Sequence, residues 1–524
     1  MASSSESSTP VTRLFPSVTP LNTINDPLCA DRQTKAIVGL YSRECSAELL
    51  ARLTGSNCFV ERPLAPEVIE AADLNSHLLY ITAPDLPDKD YVIDYYIRLK
   101  PYPPEKIASI KQKIVVLAID NSDPLWLSQK LTAKEANQAR DFIANWISAR
   151  HQSGQRVELH TFEPSAMTEL FAQELGLEPD QAPSNTIKIG SKYYAKQIFQ
   201  GCGLYSPPST KECYSLTQLA KEMASLLQQE SNVRQLILKL SSTLYGAGQG
   251  NALFNISGIK PDNSQEDTFQ QVFENLTEEN IEVVDKKLDW KGFVEEIPKA
   301  GVIAELYIEG QNKESPSVQG IVYKDGTVNL VSIHEQRFAS NKQTYIGSFY
   351  PANDDYRDRV ADMFNSIASQ AYKEGHIGPI SVDFLCVRNS PFEDWCISPI
   401  EINNRLTGTA HCFRIVTSLL GKATPKFQVN GETRVYLASD SIYKPEYVGL
   451  RPSEVIDAII KSNIHYDDKH KKGVVLYMLS GLAFGKCGAV VIGSSEDECK
   501  AMQASIYGIL DNLVIAPSTQ NNLI

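Results

Sequence analysis

The segment Glu401-Ile402-Asn403-Asn404-Arg405 gathers two hard oxygen donors and a guanidinium within five residues. In an extended strand alternate side chains share a face, so Glu401, Asn403 and Arg405 are expected to project together, away from Ile402. Upstream, Ile380-Ser381-Val382-Asp383-Phe384-Leu385-Cys386 also reads as a strand, and Asn389-Ser390-Pro391 supplies a turn that folds it back beside Glu401. An Asp, a Glu and an Asn amide oxygen so placed are the ligand set that magnesium with nucleotide phosphates requires. Two acidic residues near strand ends would ordinarily be solvated surface. A nucleotide-sized apparatus upstream shifts the reading toward ATP-dependent phosphoryl transfer.

That apparatus begins at Leu236-Ile237-Leu238-Lys239-Leu240, a buried strand pattern carrying one lysine, and continues through a loop containing Gly246, Gly248 and Gly250 into the apolar Ala252-Leu253-Phe254. Glycines let backbone N–H groups close around phosphate oxygens, so the loop reads as a phosphate cover between two strands. It lacks the Gly-Lys-Ser/Thr ending of a Walker loop and the glycine spacing of a dinucleotide fingerprint. A hairpin turn would account for the glycines equally well. Lys239 carries more information, because an ammonium inside an apolar strand must find a partner or water.

The order of Lys192, Lys239 with its glycine loop, Glu305-Leu306-Tyr307-Ile308-Glu309-Gly310, Asp383 and Glu401-Ile402-Asn403 resembles the ATP-grasp carboxylate-amine ligases. Within them, Ser315-Pro316-Ser317-Val318-Gln319, His334-Glu335-Gln336, Tyr345-Ile346-Gly347 and Asn403-Asn404-Arg405 leading to Gly408-Thr409-Ala410-His411 resemble the pheganomycin-type peptide ligases. The resemblance implies an α/β (α+β) chain with a pre-ATP-grasp layer, the grasp itself and a small C-terminal unit. It also implies ATP and Mg2+ as cofactors, Lys192 and Lys239 on the ATP phosphates, Glu305 and Ile308 at the adenine hinge, and Asp383, Glu401 and Asn403 on the metal. Arg405 would face the transferred phosphate or the acyl oxygen. The implied reaction joins a small-molecule carboxylate to an amine, an amino acid or a peptide. Departures are Gln311-Asn312-Lys313 before Glu314, where an acidic ribose ligand is usual, and Leu406-Thr407-Gly408-Thr409-Ala410-His411-Cys412, which departs from the subgroup pattern.

Length and composition bound this reading. The 524 residues point to about three domains, with expected boundaries of a disordered tail at 1–33, a pre-ATP-grasp domain at 34–185, the grasp at 186–424 and a small α/β unit at 425–524. Lys+Arg 50 against Asp+Glu 63 leaves a formal charge of -13, which opposes a nucleic-acid role. The ten cysteines show neither disulfide nor zinc spacing, and the Ser-rich start lacks the basic and apolar regions of a signal peptide; both fit a cytoplasmic protein. The stretch Gly473 to Gly493 contains Lys486 and several glycines, splits into a helix-like Val474 to Phe484 and a strand-like Ala489 to Ile492, and is rejected as a membrane span. Homo-oligomerisation is left open.

Other elements expected are strands at Ala36–Leu40, Leu78–Ile81 and Ile114–Ile119 alternating with helices in an open α/β layer, helices at 133–150 and 193–200, and a helix from Ser453 to Lys461, with that serine as its cap. His411 reads either as a group orienting substrate or as a surface residue. His334-Glu335-Gln336 lacks the second histidine of a zinc helix, which favours hydrogen bonding or substrate contact. Ser317 and Gln319 line either an acceptor pocket or a plain sheet position. Alternatives to the ligase are a small-molecule kinase on the same scaffold and a nucleotide-binding regulatory protein without turnover.

Overall fold

The computed structural model describes residues 35–44, 50, 58–230, 233–243, 250–261, 264–339, 344–423 and 426–515. The expected tail at 1–33, Gly246 and Gly248 lie outside the described residues.

Strands β1 (Lys35–Leu40), β2 (His77–Thr82), β3 (Ile114–Ala118) and β4 (Arg156–Thr161) form a sheet in the order β3-β2-β1-β4, every neighbour parallel. All of β1 is buried, as a strand covered on both faces must be. The helix expected from residue 133 forms over Asn137–Gln152, after a 3-10 turn at Lys134–Ala136.

A second, antiparallel sheet holds β5 (Gln235–Leu240), β6 (Asn251–Asn255), β7 (Ile281–Val283) and β8 (Val302–Leu306) in the order β7-β6-β5-β8. The glycine loop does lie between two strands, and Leu240 N–H donates to the Gly250 carbonyl at 2.8 Å. Leu219, Met223, Phe254 and Phe293 pack one face of this sheet against its helices.

The largest sheet contains β9 (Asn312–Glu314), β10 (Pro316–Val322), β11 (Val328–Phe338), β12 (Tyr345–Tyr350), β13 (Gly378–Arg388), β14 (Cys396–Asn403), β15 (Phe427–Val429), β16 (Glu432–Tyr443), β17 (Gly473–Tyr477) and β18 (Lys486–Gly493). Its path is β14-β13-β10-β11-β12-β16-β18-β17, with β9 on β13 and β15 on β16. Val318, Val382, Phe384 and Ile402 turn one face onto Val360, Phe364 and Ile367 of the Asp354–Lys373 helix. Period-two alternation therefore sends Ser317, Gln319, Ser381, Asp383, Glu401 and Asn403 to the opposite face. Residues beyond 425 extend this sheet through the pairing of β12 with β16, and their apolar side chains join a core shared with Ile37, Val68 and Tyr80.

Two local expectations are corrected. Val474–Phe484 is not a helix: the buried run Val474-Val475-Leu476 pairs with β18, Met478 takes φ 54°, and only Leu479–Phe484 coils, as a 3-10 segment. At the Pro452–Lys461 helix the N-cap is Arg451, because Pro452 takes the first helical position; Ser453 instead donates its N–H and hydroxyl to Asp88. Among the described residues no helix is long and apolar enough to cross a membrane.

Candidate active site

The β13–β14 hairpin pairs Asp383 directly with Glu401, and Ser381 with Asn403. The expected gathering of two carboxylates and an amide on one face is present. Ser317 on β10 lies opposite Asp383 on its other side and donates to Oδ1 at 2.5 Å. Gln336 Nε2 reaches the same oxygen at 2.8 Å, and Asn403 Nδ2 approaches Oδ2 at 3.3 Å. Burial and the neighbouring charge of Glu401 raise the Asp383 carboxyl to about 6. Two carboxylates facing one another, with one lysine paired to Glu401, leave a surplus of negative charge, which is the electrostatic condition a divalent cation relieves. Among the described residues no group of three or more His, Cys, Asp and Glu has metal-binding placement, so any ion here relies on Asp383, Glu401 and an amide. That donor set fits a hard cation which keeps part of its hydration.

A chain of hydrogen bonds runs to Asp383. The Tyr436 hydroxyl donates to His334 Nε2, His334 Nδ1 donates to Gln319 Oε1 at 2.8 Å, Gln319 Nε2 donates to Ser317 Oγ at 2.7 Å, and Ser317 donates to Asp383. His334 is wholly buried, and burial lowers its pKa to about 3, so the ring is neutral and the chain has one direction. Ser317, Gln319 and His334 hold Asp383 in place from neighbouring strands on the same sheet face.

Lys239 and Glu305, two of the residues expected on the nucleotide, lie together. The Glu305 carboxylate lies between Lys239 at 2.8 Å and Lys196 at 2.5 Å, all three buried. Burial pushes Glu305 up, but the two lysines outweigh it and hold the carboxyl below its ordinary range. Lys196 also donates to the Pro207 carbonyl at 2.7 Å. Sequence reading missed Lys196, although its position one helical turn after Lys192 was a usable signal. Ile308 follows β8, and its carbonyl accepts from Lys313, whose ammonium lies 4.3 Å from the Tyr307 ring centroid.

Lys192 opens the Lys192–Gly201 helix, where Ser191 caps by accepting from Tyr194 N–H. Its backbone N–H donates to the Ser241 carbonyl at the end of β5, and its ammonium pairs with Glu401. Thus one lysine ties the glycine-loop sheet to the carboxylate hairpin. Gly190 permits the approach: a Cβ there would sit 2.7 Å from Asn404 Oδ1.

Arg405 lies elsewhere than the strand pattern predicts, and His411 is not a surface residue. β14 ends at Asn403, so alternation does not carry to Arg405, which extends instead to Glu163 of the N-terminal layer, 3.6 Å away. Its charge still acts on Asp383. His411 occupies the first turn of the Gly408–Leu420 helix and not a loop, buried against the Tyr477 ring at 4.8 Å. Burial, reinforced by Arg62, keeps it well below its ordinary pKa.

Residues 185–287 match the family model described as IQCH-like, ATP-grasp. The L-propargylglycine--L-glutamate ligase of Streptantibioticus cattleyicolor is 24% identical over 338 residues, 63% of this chain and 64% of the ligase. IQ motif-containing protein H of Danio rerio is 21% identical over 299 residues, 52% of this chain but only 28% of that protein. The chain thus spans less than two thirds of either curated relative. Among solved structures, a pyruvate carboxylase from Rhizobium etli with its allosteric activator acetyl coenzyme A aligns with a TM-score of 0.50 at 14% identity, covering 92% of this chain and 39% of the carboxylase.

Proposed function

From a chain that carries the ATP-grasp fold, we propose an ADP-forming carboxylate-amine ligase that makes an amide bond between small molecules. The pairing of Asp383 with Glu401 across one hairpin, with Lys192 on Glu401, carries the reading. A carboxylate oxygen of the acid attacks the γ-phosphorus and ADP leaves; the amine nitrogen then attacks the acyl carbon, phosphate leaves and the nitrogen loses a proton. Asp383, Glu401 and Asn403 hold magnesium, which when bound neutralises phosphate charge. Lys192 and Lys239 orient the phosphates, the hydrogen-bond chain to Asp383 keeps that carboxylate aimed, and Arg405 supplies positive charge on the substrate side of the site. The similarity to an amino-acid-joining ligase supports amino acids or peptides as substrates.

The test supplies ATP, magnesium and pooled amino acids and peptides, and follows products by mass spectrometry. With heavy oxygen in the acid's carboxylate, one label per amide passes to released phosphate, together with ADP. AMP and pyrophosphate as stoichiometric products would indicate adenylation. A stable phosphate ester formed without an amine would indicate a kinase.

A further inference from the structure

Strand order in the N-terminal sheet reverses at β1: the chain steps outward through β2 to β3, then returns to the other side of β1 as β4. In open parallel sheets the carboxyl ends of the strands flanking such a reversal form a crevice that takes ligands. Here β1 runs on into Arg43 and β4 into Phe162 and Glu163.

Arg405 meets those strand ends from the other side. Arg43 pairs with Glu163 Oε2, Arg405 Nε lies 3.6 Å from the same oxygen, and Glu44 N–H donates to Oε1. Both guanidinium carbons lie over the Phe162 ring, at 5.9 and 5.7 Å from its centroid. Two guanidiniums therefore share one carboxylate, leaving a positive charge in excess. The side chains of Arg43, Arg405 and Glu163 are 13%, 15% and 9% exposed, so the cluster is largely dry while each side chain keeps some exposed surface. The two guanidiniums, held on one carboxylate and over one ring, repel each other. A second anion would relieve that repulsion, and the guanidinium fork is shaped for a carboxylate.

We infer that Arg43 and Arg405 seat a non-reacting carboxylate of the small-molecule substrate at the switch point of the N-terminal sheet, with Glu163 bracing the pair. The inference rests on the ligase reading and names its substrate class: amino acids or peptides with a free carboxylate. Arg43 becomes a specificity-determining residue supplied by the layer that does not contain the Asp383–Glu401 hairpin.

The experiment measures thermal stabilisation of the full chain by Mg-ADP alone, then with a pool of L-amino acids, with the matched pool of their amides, or with inorganic phosphate. Wild type is expected to gain a further shift from the acids and none from the amides. Arg43→Gln is expected to raise the concentration of acids needed by on the order of ten- to a hundredfold, the usual loss for one charge-assisted contact, while keeping its Mg-ADP shift. Glu163→Gln, which frees both arginines, is expected to respond to the acids at equal or lower concentration. Arg43→Lys retains charge without the fork, so it falls between wild type and Arg43→Gln and serves if Arg43→Gln does not fold. Equal shifts from acids and amides, no shift from the acids, an unchanged response in the folded Arg43 variant, or loss of the response in Glu163→Gln each overturns the seat. Full reproduction of the acid shift by phosphate overturns it too, assigning the arginines to the phosphoryl group. Failure of Mg-ADP to stabilise wild type counts against the ligase reading itself.

Discussion

Glu305 lies between two lysines, whereas Asp383 lies beside another carboxylate. Both lie in β-sheets, Glu305 buried on β8 and Asp383 half-buried on the hairpin. Lys196 and Lys239 hold Glu305 ionised, so that carboxylate is fully countered within the protein and one ammonium is left in excess. At the hairpin Lys192 answers Glu401 but leaves Asp383 pushed up to about 6. In the first region the carboxylate is complete in its countercharge and a cation is left over; the second keeps a deficit of positive charge that a ligand can fill. Charge balance thus separates a cluster with a spare cation from a pair that awaits one.

Breaking the incomplete end should cost most in turnover. Glu401→Gln removes a carboxylate from the proposed metal set and is expected to slow ADP release with the substrate pool by ~1000-fold, since several kcal/mol of charge stabilisation is at stake. Its melting temperature should stay near wild type; near-normal turnover at ordinary magnesium would refute the ligand role. Breaking the complete end should instead cost stability. Glu305→Gln leaves Lys196 and Lys239 buried without their shared countercharge, a loss of about 3–5 kcal/mol, read as the denaturant midpoint with the slope unchanged.

The pH dependence sharpens the contrast. Because the folded-state carboxyl of Asp383 lies above its ordinary value, ionising it opposes folding; the cost is absent below about pH 4, grows through the window up to about 6 and is complete above. Lowering pH from 7.5 to 5 should therefore recover part of up to about 3 kcal/mol from this group. Comparing unfolding of wild type and Asp383→Asn at both pH values isolates it from other titrations; parallel responses would remove the group from the account. The variant can fold, because Oδ1 still accepts from Ser317 and Gln336, and rotation of the Asn403 amide accommodates the new NH2 group. The smallest effect is Ser317→Ala, which removes one donor to Asp383: about 1 kcal/mol in stability and an upward shift of the same pH transition. No movement of that transition would mean Ser317 does not hold Asp383.

How much was legible follows from how local each feature is. The hairpin that opposes Asp383 and Glu401 was readable, because two alternating strands and an Asn-Ser-Pro turn lie within one short stretch. The strands of the N-terminal α/β layer were readable from their apolar runs. Arg43 and Glu163 were not: each follows an unremarkable strand, and only the placement of β1 beside β4 brings them to Arg405. Lys196 required knowing that two lysines four apart share a helix face with a strand glutamate. The hydroxyl and amide of Ser317 and Gln319 gave no signal of their task, since any half-buried strand carries such residues. The helix expected at Val474 failed because a short, fully buried apolar run has no periodicity to separate helix from strand.

The core common to the first and last parts of the described chain has a consequence for biosynthesis. Ile37, Val68 and Tyr80 pack in one cluster with Ile415, Val475 and Val490, and the Glu61 carboxylate accepts from the backbone of Leu479 and Ser480. At ~5–20 residues per second of translation, the N-terminal layer waits tens of seconds for the strands that close over it. During that interval its apolar face is exposed at the ribosome, so pausing, truncation or premature termination before β18 would release a chain with an unfilled core and a natural claim on chaperones.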